Sequence, residues 1–447
     1  MKIEIKQYII KLGFPIIAVA LILILGCGFY HSLLAGEAKT YESLKLFSNV
    51  LEELENKYVD EVDTRKLIHN AVKGMVASLD PHSVFMPPEA FDELQDDTKG
   101  EFGGIGIVIT MKQGILTVIS PIEGTPAYKA GIVAGDLIIK INGKTTKGMA
   151  LWESVKKMRG PKGKQVIITI LRKDKQIDYK LTRDIIPMNS VRSVTIQQGY
   201  GYIWITNFRL NTSDEVEKAL LKMESGDIPL KGLIIDLRNN PGGLLNQAVN
   251  IADMFLEKGK IVSIKGRFKE NNEVFSAGFN KKKRVYPIVV LINSGSASAS
   301  EIVAGALQDN KRAIILGTTS FGKGSVQSVK SLKDGFGLKY TIARYYTPSG
   351  TSIQAEGIKP DIKVEYVLDK EKTKQADTDE KIVREKDLKN HLKSEKDKKK
   401  QSRERGERDK NNKKVRGIIS LEKLNRDSQV KRALDILIAH NIFINRK

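Results

Sequence analysis

Between residues 199 and 366, short apolar runs rich in β-branched residues alternate with segments that have helical spacing. The runs that predict strands are Tyr200–Ile205, Gly232–Leu237, Ile288–Ile292 and Ala313–Leu316, and the segments that predict helices are Ser213–Met223, Asn246–Leu256 and Ser298–Gln308. Such alternation is typical of a layered α/β domain. We therefore predict an α/β domain over residues 185–366, within a multi-domain chain that is α+β overall.

A different texture precedes that domain, because residues 96–184 consist of short β runs punctuated by glycine. The segment AGIVAGDLIIKING (130–143) makes this region resemble a PDZ domain. PDZ domains bind a peptide as an added strand and hold its terminal carboxylate with backbone N–H groups. The resemblance implies that the carboxylate loop is formed by the glycine-rich residues Gly103, Gly104, Ile105 and Gly106, where the backbone can approach an anion closely.

The amino-terminal part combines an apolar run with a helical region. Leu12–Tyr30 is almost wholly apolar and long enough to cross a hydrocarbon core of ~30 Å. Lys2, Lys6 and Lys11 precede it, so the positive-inside rule leaves residue 1 in the cytoplasm. We predict a single-pass inner-membrane anchor (1–35), a helical region (38–95) and a body in the periplasm or extracytoplasmic space. A cleaved signal peptide and lipid attachment at Cys27 are the alternatives.

The chain has 447 residues and a net charge of +21, which raises the question of an anionic partner. Residues 369–416 alone hold 19 Lys or Arg and 12 Asp or Glu, a net charge of +7. Mixed charge with few aromatic residues is typical of a solvated linker, which we place at 367–416, before a carboxy-terminal helix at 417–447. The remaining charge is diffuse and lacks interleaved aromatic residues, so we predict no nucleic-acid partner.

The distribution of cysteine and histidine restricts the chemistry of the α/β domain. Cys27 is the single cysteine, and none of the five histidines lies between residues 83 and 390. A Ser-His-Asp triad and a thiol nucleophile are therefore excluded in this domain. The sequence also contains no H-E-x-x-H motif and no thiolate zinc spacing, so we predict neither a metal site nor a cofactor. His82, in the helix-breaking segment DPHS, is expected to have a capping or turn role.

Two glycine-marked turns remain as sites for catalysis. The first, NSGSASASE (293–301), follows a strand and opens a helix, where a serine beside free N–H groups offers a nucleophile and an oxyanion hole together. The alternative is structural, because Ser298-x-x-Glu301 is also a capping box.

The second turn, GTTSFGKG (317–324), almost matches a phosphate-binding loop. Gly324 stands where that loop needs a hydroxyl for magnesium, and no helical pattern follows. If the chain is extended here, Lys323, Ser325 and Gln327 share one face. A lysine whose pKa is lowered by burial or nearby cations can act as the general base for serine.

Three motifs in this order, GLIIDLRNNPGG (232–243), SGSASASEI (294–302) and FGKGSVQ (321–327), resemble the carboxyl-terminal processing peptidases, or tail-specific proteases. The resemblance implies a ClpP/crotonase-like catalytic domain with an embedded PDZ domain. It implies that Ser298 is the nucleophile, that Lys323 is its base and that Gln327 orients the lysine. It also assigns the oxyanion hole to Ala299, Gly242 and Gly243, and coupling between the PDZ and protease domains to Arg159.

We therefore expect a membrane-tethered serine endopeptidase that recognises proteins or peptides with apolar carboxy-terminal tails. Whether the protein forms a homo-oligomer is left open by the sequence. One rival hypothesis is a PDZ adaptor or chaperone that has lost catalysis. It does not account for the joint presence of Ser298, Lys323 and Gln327, because an adaptor needs none of them. The other is a nucleic-acid or anionic-lipid binder driven by the basic charge, whose binding would depend steeply on salt.

Overall fold

The computed structural model describes residues 40–112, 114–278, 282–367, 384–388, 390–392 and 421–444. They fall into two compact units that divide between Met75 and Val76. The predicted membrane segment Leu12–Tyr30 lies outside the described residues. Within the described ranges, no helix is long and apolar enough to cross a membrane.

The first unit is helical, as the spacing of its apolar residues predicts. Helix α1 spans 40–57, and helix α2 (Thr64–Ala77) begins in this unit. Leu44, Phe47 and Leu54 have the spacing of one face of α1, and all three are exposed. The predicted helical region (38–95) also contains one strand. A short strand, β1 (Val84–Met86), pairs with a strand more than 250 residues later, before helix α3 (Pro88–Lys99).

The PDZ-like region is an antiparallel β domain. It contains β2 (Glu101–Gly104), β3 (Ile107–Lys112), β4 (Ile115–Pro121), α4 (Pro126–Lys129), β5 (Leu137–Ile141), β6 (Lys144–Thr145), α5 (Leu151–Met158), β7 (Gln165–Arg172), β8 (Lys175–Thr182) and β9 (Asp184–Pro187). The main sheet has the order β3-β4-β5-β7-β8, and β2 pairs separately with β9. Alternate residues of these strands, such as Leu116, Val118, Ile168 and Ile170, form one buried core. Strand β3 is therefore an edge strand, with one side unpaired among the described residues.

The α/β region is built on a six-stranded sheet in the order β10-β11-β12-β15-β16-β19. Its elements are β10 (Val191–Gln197), β11 (Tyr200–Ile205), α6 (Thr212–Glu224), β12 (Gly232–Asp236), α7 (Leu245–Asp253), β15 (Ile288–Ile292), α8 (Ala299–Asp309), β16 (Ile314–Gly317) and β19 (Ile362–Lys363). In this sheet the five strands β11, β12, β15, β16 and β19 run parallel to one another, and the edge strand β10 is antiparallel to β11. The predicted mixed α/β fold is confirmed.

A second sheet, which was not predicted from the sequence, is formed by chain segments that lie between these elements. It contains β13 (Lys260–Gly266), β14 (Glu273–Ser276), β17 (Ser325–Ser331) and β18 (Gly337–Tyr346), together with β1. Strand β17 begins at Ser325, two residues after Lys323, so the chain there is extended, as expected, and does not open the helix that a phosphate-binding loop requires.

Helices α9 (Leu421–Arg426) and α10 (Ser428–Ile444) cover one face of the six-stranded sheet. Leu424, Val430 and Leu437 pack on the strands, while α6, α7 and α8 contribute to the core on the other face. Strands with two covered faces must be apolar throughout, which explains the continuous runs in the sequence.

A buried ionic network joins these helices to the end of β12. Arg238 donates to Asp236 Oδ2 at 2.6 Å and lies 2.9 Å from Asp427 Oδ2. Tyr202 also donates to Asp236 Oδ2 at 2.6 Å, and Gln429 accepts from Arg238 at 2.8 Å. Because each buried charge has a partner of opposite sign and further hydrogen bonds, the network holds α9 and α10 in register with the sheet.

Candidate active site

Ser298 lies between β15 and α8, at the carboxyl end of the parallel sheet. Its backbone adopts φ +53° and ψ −112°, a conformation that is unfavourable for a residue with a Cβ. The turn is held by neighbours on both sides: Ser296 Oγ donates to Leu237 O at 2.8 Å, and Ala297 N donates to Asn240 O at 3.0 Å. This strained strand-to-helix turn fixes the serine as the residue that immediately precedes α8.

Gly242 passes directly beside this serine, and Gly243 follows it against Phe208. A Cβ on Gly242 would lie 2.8 Å from Ser298 Cβ and 3.0 Å from Ala299 N, and φ is +100° at Gly242 and +145° at Gly243. Gly242 donates its N–H to Asn240 Oδ1 at 2.9 Å. The amides of Gly243 and Ala299 have no acceptor among the described residues. Of the predicted donors, these two are therefore available to an oxyanion.

Lys323 lies in the turn between β16 and β17, mostly shielded from solvent. Burial, and then the positive charge of Lys339, lower the pKa of Lys323 to about 8, against opposing effects of Glu385, Glu301 and Asp80. A lysine with this pKa is about one-tenth neutral at pH 7, far more than a free lysine. No hydrogen bond joins Lys323 Nζ to Ser298 Oγ in the described part of the chain, and such contacts are often longer in a free enzyme than in its substrate complex.

Gln327 lies on β17, in the second sheet. Its Nε2 donates to Ser325 Oγ at 2.8 Å and to Thr341 Oγ1 at 3.3 Å. With the amide nitrogen held by these two hydroxyls, Oε1 is the atom left to accept a proton from a lysine amine. The predicted orienting role of Gln327 stays a prediction, since no hydrogen bond between Gln327 and Lys323 Nζ is present among the described residues.

Glu301, which the sequence singled out only as half of a capping box, connects the two turns. Its fully buried carboxylate accepts from Ser298 N at 2.8 Å, Gly322 N at 2.8 Å and Lys323 N at 2.9 Å, and also from Ser320 Oγ. Burial raises the pKa of Glu301 to about 7, while these hydrogen bonds oppose the rise. The acid at the third helical position was visible in the sequence, but its reach to the lysine turn was not.

Tyr345 is a second residue that sequence reasoning missed. Burial raises the pKa of its hydroxyl to about 12, and a hydrogen bond with the Ser298 side chain opposes the rise. Tyr345 N also donates to Gly324 O at 2.7 Å. The residue therefore lies against both the serine and the lysine turn, and no sequence motif pointed to it.

The predicted carboxylate loop divides between a strand and a turn. Gly103 and Gly104 belong to β2 and pair with Ile185 and Asp184. Ile105 and Gly106 follow as a buried turn whose N–H groups have no acceptor among the described residues.

Gly106 has φ +76°, and a Cβ there would lie 2.3 Å from the Thr125 side chain. The turn leads directly into the unpaired edge of β3, which is where an added strand would lie.

Arg159 contacts the strand that leads into this turn. Its guanidinium carbon lies 4.1 Å from the centroid of the Phe102 ring, and the next residue, Gly160, donates its N–H to Gly103 O at 3.1 Å. A cation over an aromatic face in this range is stabilising. Arg159 thus touches the candidate peptide site within its own domain.

Three protein-family models match successive parts of the chain. Residues 199–364 match the model of peptidase family S41, residues 117–172 that of a PDZ domain, and residues 31–90 that of the activating protease CtpB N-terminal domain. The chain is 48% identical over 362 residues to the carboxy-terminal-processing protease of Bartonella bacilliformis, covering 80% of this chain and 82% of that protein.

It is also 37% identical to the carboxy-terminal processing protease CtpA of Bacillus subtilis, over 82% of this chain and 78% of that protein. Among solved structures, the photosystem II D1 C-terminal processing protease aligns with a TM-score of 0.42 and 31% identity, over 72% of this chain and 92% of that one.

Proposed function

Because this chain belongs to the carboxy-terminal-processing proteases of peptidase family S41, we propose that it is a serine endopeptidase that uses Ser298 and Lys323 as a dyad. The observation that carries the proposal is the joint fixing of the two turns by Glu301, which binds the backbone of Ser298 and of Lys323 with one buried carboxylate. A histidine is not needed, because the lysine pKa of about 8 allows a neutral amine near physiological pH.

The chemical steps follow from the positions of these groups. Ser298 Oγ attacks the scissile carbonyl carbon while neutral Lys323 takes the hydroxyl proton. The N–H groups of Ala299 and Gly243 stabilise the oxyanion, and the lysine ammonium then protonates the leaving amine. Water hydrolyses the acyl-enzyme with Lys323 again as the base. Gln327 Oε1 accepts from the amine and directs its lone pair toward the serine.

Substrate recognition is assigned to the PDZ domain, since its β3 edge and the free N–H groups of Ile105 and Gly106 suit a peptide that ends in a carboxylate. An apolar tail would extend along the unpaired edge of β3. Arg159, which lies over Phe102, would transmit occupancy of this groove to the protease domain. We further propose that the body acts outside the cytoplasmic membrane, on the strength of the apolar run and its basic flank.

The deciding experiment is mass spectrometry of a model protein with an apolar tail, incubated with wild type, Ser298→Ala and Lys323→Arg. We expect cleavage by wild type alone, because arginine keeps the charge but cannot give up a proton in this pH range. Addition of EDTA and omission of nucleotide should change nothing. Substantial activity in Lys323→Arg would remove the lysine as base, and activity in Ser298→Ala would remove the nucleophile.

A further inference from the structure

Part of the predicted charged linker lies against the lysine turn. We call residues 384–388 and 390–392 the docked segment. Glu385 is fully buried, although Lys386 and Asp387, which follow it in sequence, are charged and exposed. Its backbone N–H donates to Phe321 O, two residues before Lys323, at 3.2 Å. A carboxylate taken out of water from so polar a stretch needs compensating partners.

Those partners close a ring of hydrogen bonds around Lys323. Gln354, itself fully buried, donates from Nε2 to Glu385 Oε1 at 3.0 Å and accepts at Oε1 from Gly324 N at 3.0 Å. Phe321 and Gly324, which flank the lysine on either side, are thereby linked through Glu385 and Gln354. The second Nε2 proton of Gln354 goes to Leu392 O at 3.0 Å, so both ends of the docked segment are held.

His82 completes the set of partners. Its Nε2 lies 2.9 and 2.8 Å from the two carboxylate oxygens of Glu385, and the tautomer that carries its proton on this nitrogen donates to the carboxylate. The histidine is placed by its own turn, in which His82 N and Ser83 N both donate to Asp80 Oδ1. In addition to the turn role expected for it, His82 thus forms a hydrogen bond with a residue 303 positions later.

Electrostatics gives the ring a measurable consequence. The charged groups that act on the Lys323 amine are Lys339, Glu385, Glu301 and Asp80, and Glu385 has the largest effect of the three carboxylates. It favours the ammonium form. Removal of that negative charge must therefore lower the pKa of Lys323 further below about 8, and the amine becomes neutral at a lower pH.

We propose that Glu385 is a positioning residue for the dyad, which holds the lysine turn through Phe321, Gln354 and Gly324 when the docked segment is in place. The proposal rests on the proposed role of Lys323 as the base. In this arrangement the linker does more than join the protease to α9 and α10. It supplies Glu385, which is linked by hydrogen bonds to the backbone on both sides of Lys323.

Two variants separate the hydrogen-bonding role from the charge. Glu385→Gln keeps acceptor oxygen for Gln354 and His82, so kcat should stay within about twofold of wild type. The acid limb of the pH profile should move to lower pH. Glu385→Ala leaves Gln354 and His82 without their acceptor, so kcat should fall at least tenfold, with KM for a tail-bearing substrate little changed. Glu365→Gln, which removes an exposed carboxylate that pairs with Lys363, is the matched control and should behave as wild type.

Hydrogen exchange in the full chain provides a readout that needs no turnover. In a Ser298→Ala background, Glu385→Ala should speed exchange of amides in 320–325, while the PDZ region stays unchanged. Equal kcat in the alanine and glutamine variants, an unmoved acid limb in Glu385→Gln, or unchanged exchange would overturn the proposal. Loss of the proposed function would appear differently, as a wild type that cleaves no tail-bearing substrate whatever residue stands at 385.

Discussion

At the residue scale, the environment of Lys323 contains a second lysine on the neighbouring sheet. Lys339 lies on β18, opposite Val329 of β17, and on the same side of its strand as Thr341, the partner of Gln327. Burial lowers the pKa of Lys339 as well. A like charge close to an amine is one of the few means by which a protein can keep a lysine neutral near pH 7.

We predict that Lys339→Gln shifts the acid limb of the kcat/KM profile to higher pH. In wild type the rate should rise with pH through about 8, where Lys323 loses its proton. Without the positive neighbour the Lys323 pKa rises, so a higher pH is needed for the same neutral fraction. Lys333→Gln, at an exposed position between β17 and β18, is the control and should leave the pH profile unchanged. A profile that does not move in Lys339→Gln would contradict this account.

Glu301 is expected to be sensitive to even an isosteric change. Glu301→Gln removes acceptor capacity where three backbone N–H groups and a hydroxyl converge. Leaving a buried N–H without an acceptor costs about 1–3 kcal/mol. We therefore predict a fall of that size in the free energy of unfolding and at least a tenfold loss of kcat. Urea titration and substrate cleavage measure the two effects, and Glu270→Gln, at an exposed position, is the control.

Residue-scale prediction from the sequence named candidate reacting groups but not the residues that support them. Ser298 and Lys323 could be proposed because each lies in a short motif that contains its own glycines. Glu385 and Gln354 could not, since their meaning depends on three segments that are distant in sequence and meet only in the folded chain. Tyr345 looks like one more aromatic residue of a β-strand until β18 is placed beside the serine turn.

At the scale of elements, four of the five parallel strands were predicted almost to the residue, while the short strand β19 and the second sheet were missed. The run Ile288–Ile292 coincides with β15, because a strand covered on both faces is apolar throughout. Strands β13, β14, β17 and β18 are partly exposed and carry lysines, serines and tyrosines, so no continuous run marks them. Their pairing is decided by contacts with distant segments, including β1.

The turn before β3 yields a prediction about peptide recognition. Gly106→Ala should disturb the candidate carboxylate site, because the residue has φ +76° and a Cβ would lie 2.3 Å from the Thr125 side chain. Cleavage of a substrate with a free apolar tail should fall at least tenfold. Modification of Ser298 by a small fluorophosphonate should be unchanged, since the catalytic turns are untouched.

The matched control for that variant lies in the next hairpin. Gly114 has φ +77° and nothing within 4 Å of a Cβ, so Gly114→Ala carries the backbone strain without the clash. It should cleave the tail-bearing substrate at close to the wild-type rate. Amidation of the substrate's terminal carboxylate should reproduce the Gly106→Ala defect in wild type. Equal cleavage of free and amidated tails would remove the carboxylate from the recognition mechanism.

For the whole molecule, the carboxy-terminal helices behave as part of the protease core. Asp427→Asn should lower the free energy of unfolding by about 2 kcal/mol, since a buried charged partner of Arg238 is lost while Asp236 remains. Asp435→Asn changes an exposed carboxylate on α10 and should have little effect. Denaturant unfolding of the full chain provides the comparison. Equal stability in the two variants would show that the network is dispensable.

The predicted membrane topology is also a property of the whole chain. If Leu12–Tyr30 anchors the protein with its basic flank inside, the protein should sediment with membranes. Residues 100–360 should then be digested by protease added to intact spheroplasts. Replacing Lys2, Lys6 and Lys11 by glutamine should weaken this orientation, because the cationic bias that sets it is removed. Protection of the body in wild-type spheroplasts would contradict the proposed location.

The packing of α10 on the sheet also has a consequence in time. A ribosome completes strands β11 to β19 before it reaches residues 421–444, and elongation at about 5–20 residues per second leaves several seconds between the two. During that interval one apolar face of the sheet has no cover. A chain cut short before α9 would keep that face bare, and we expect it to be degraded faster than the full-length chain.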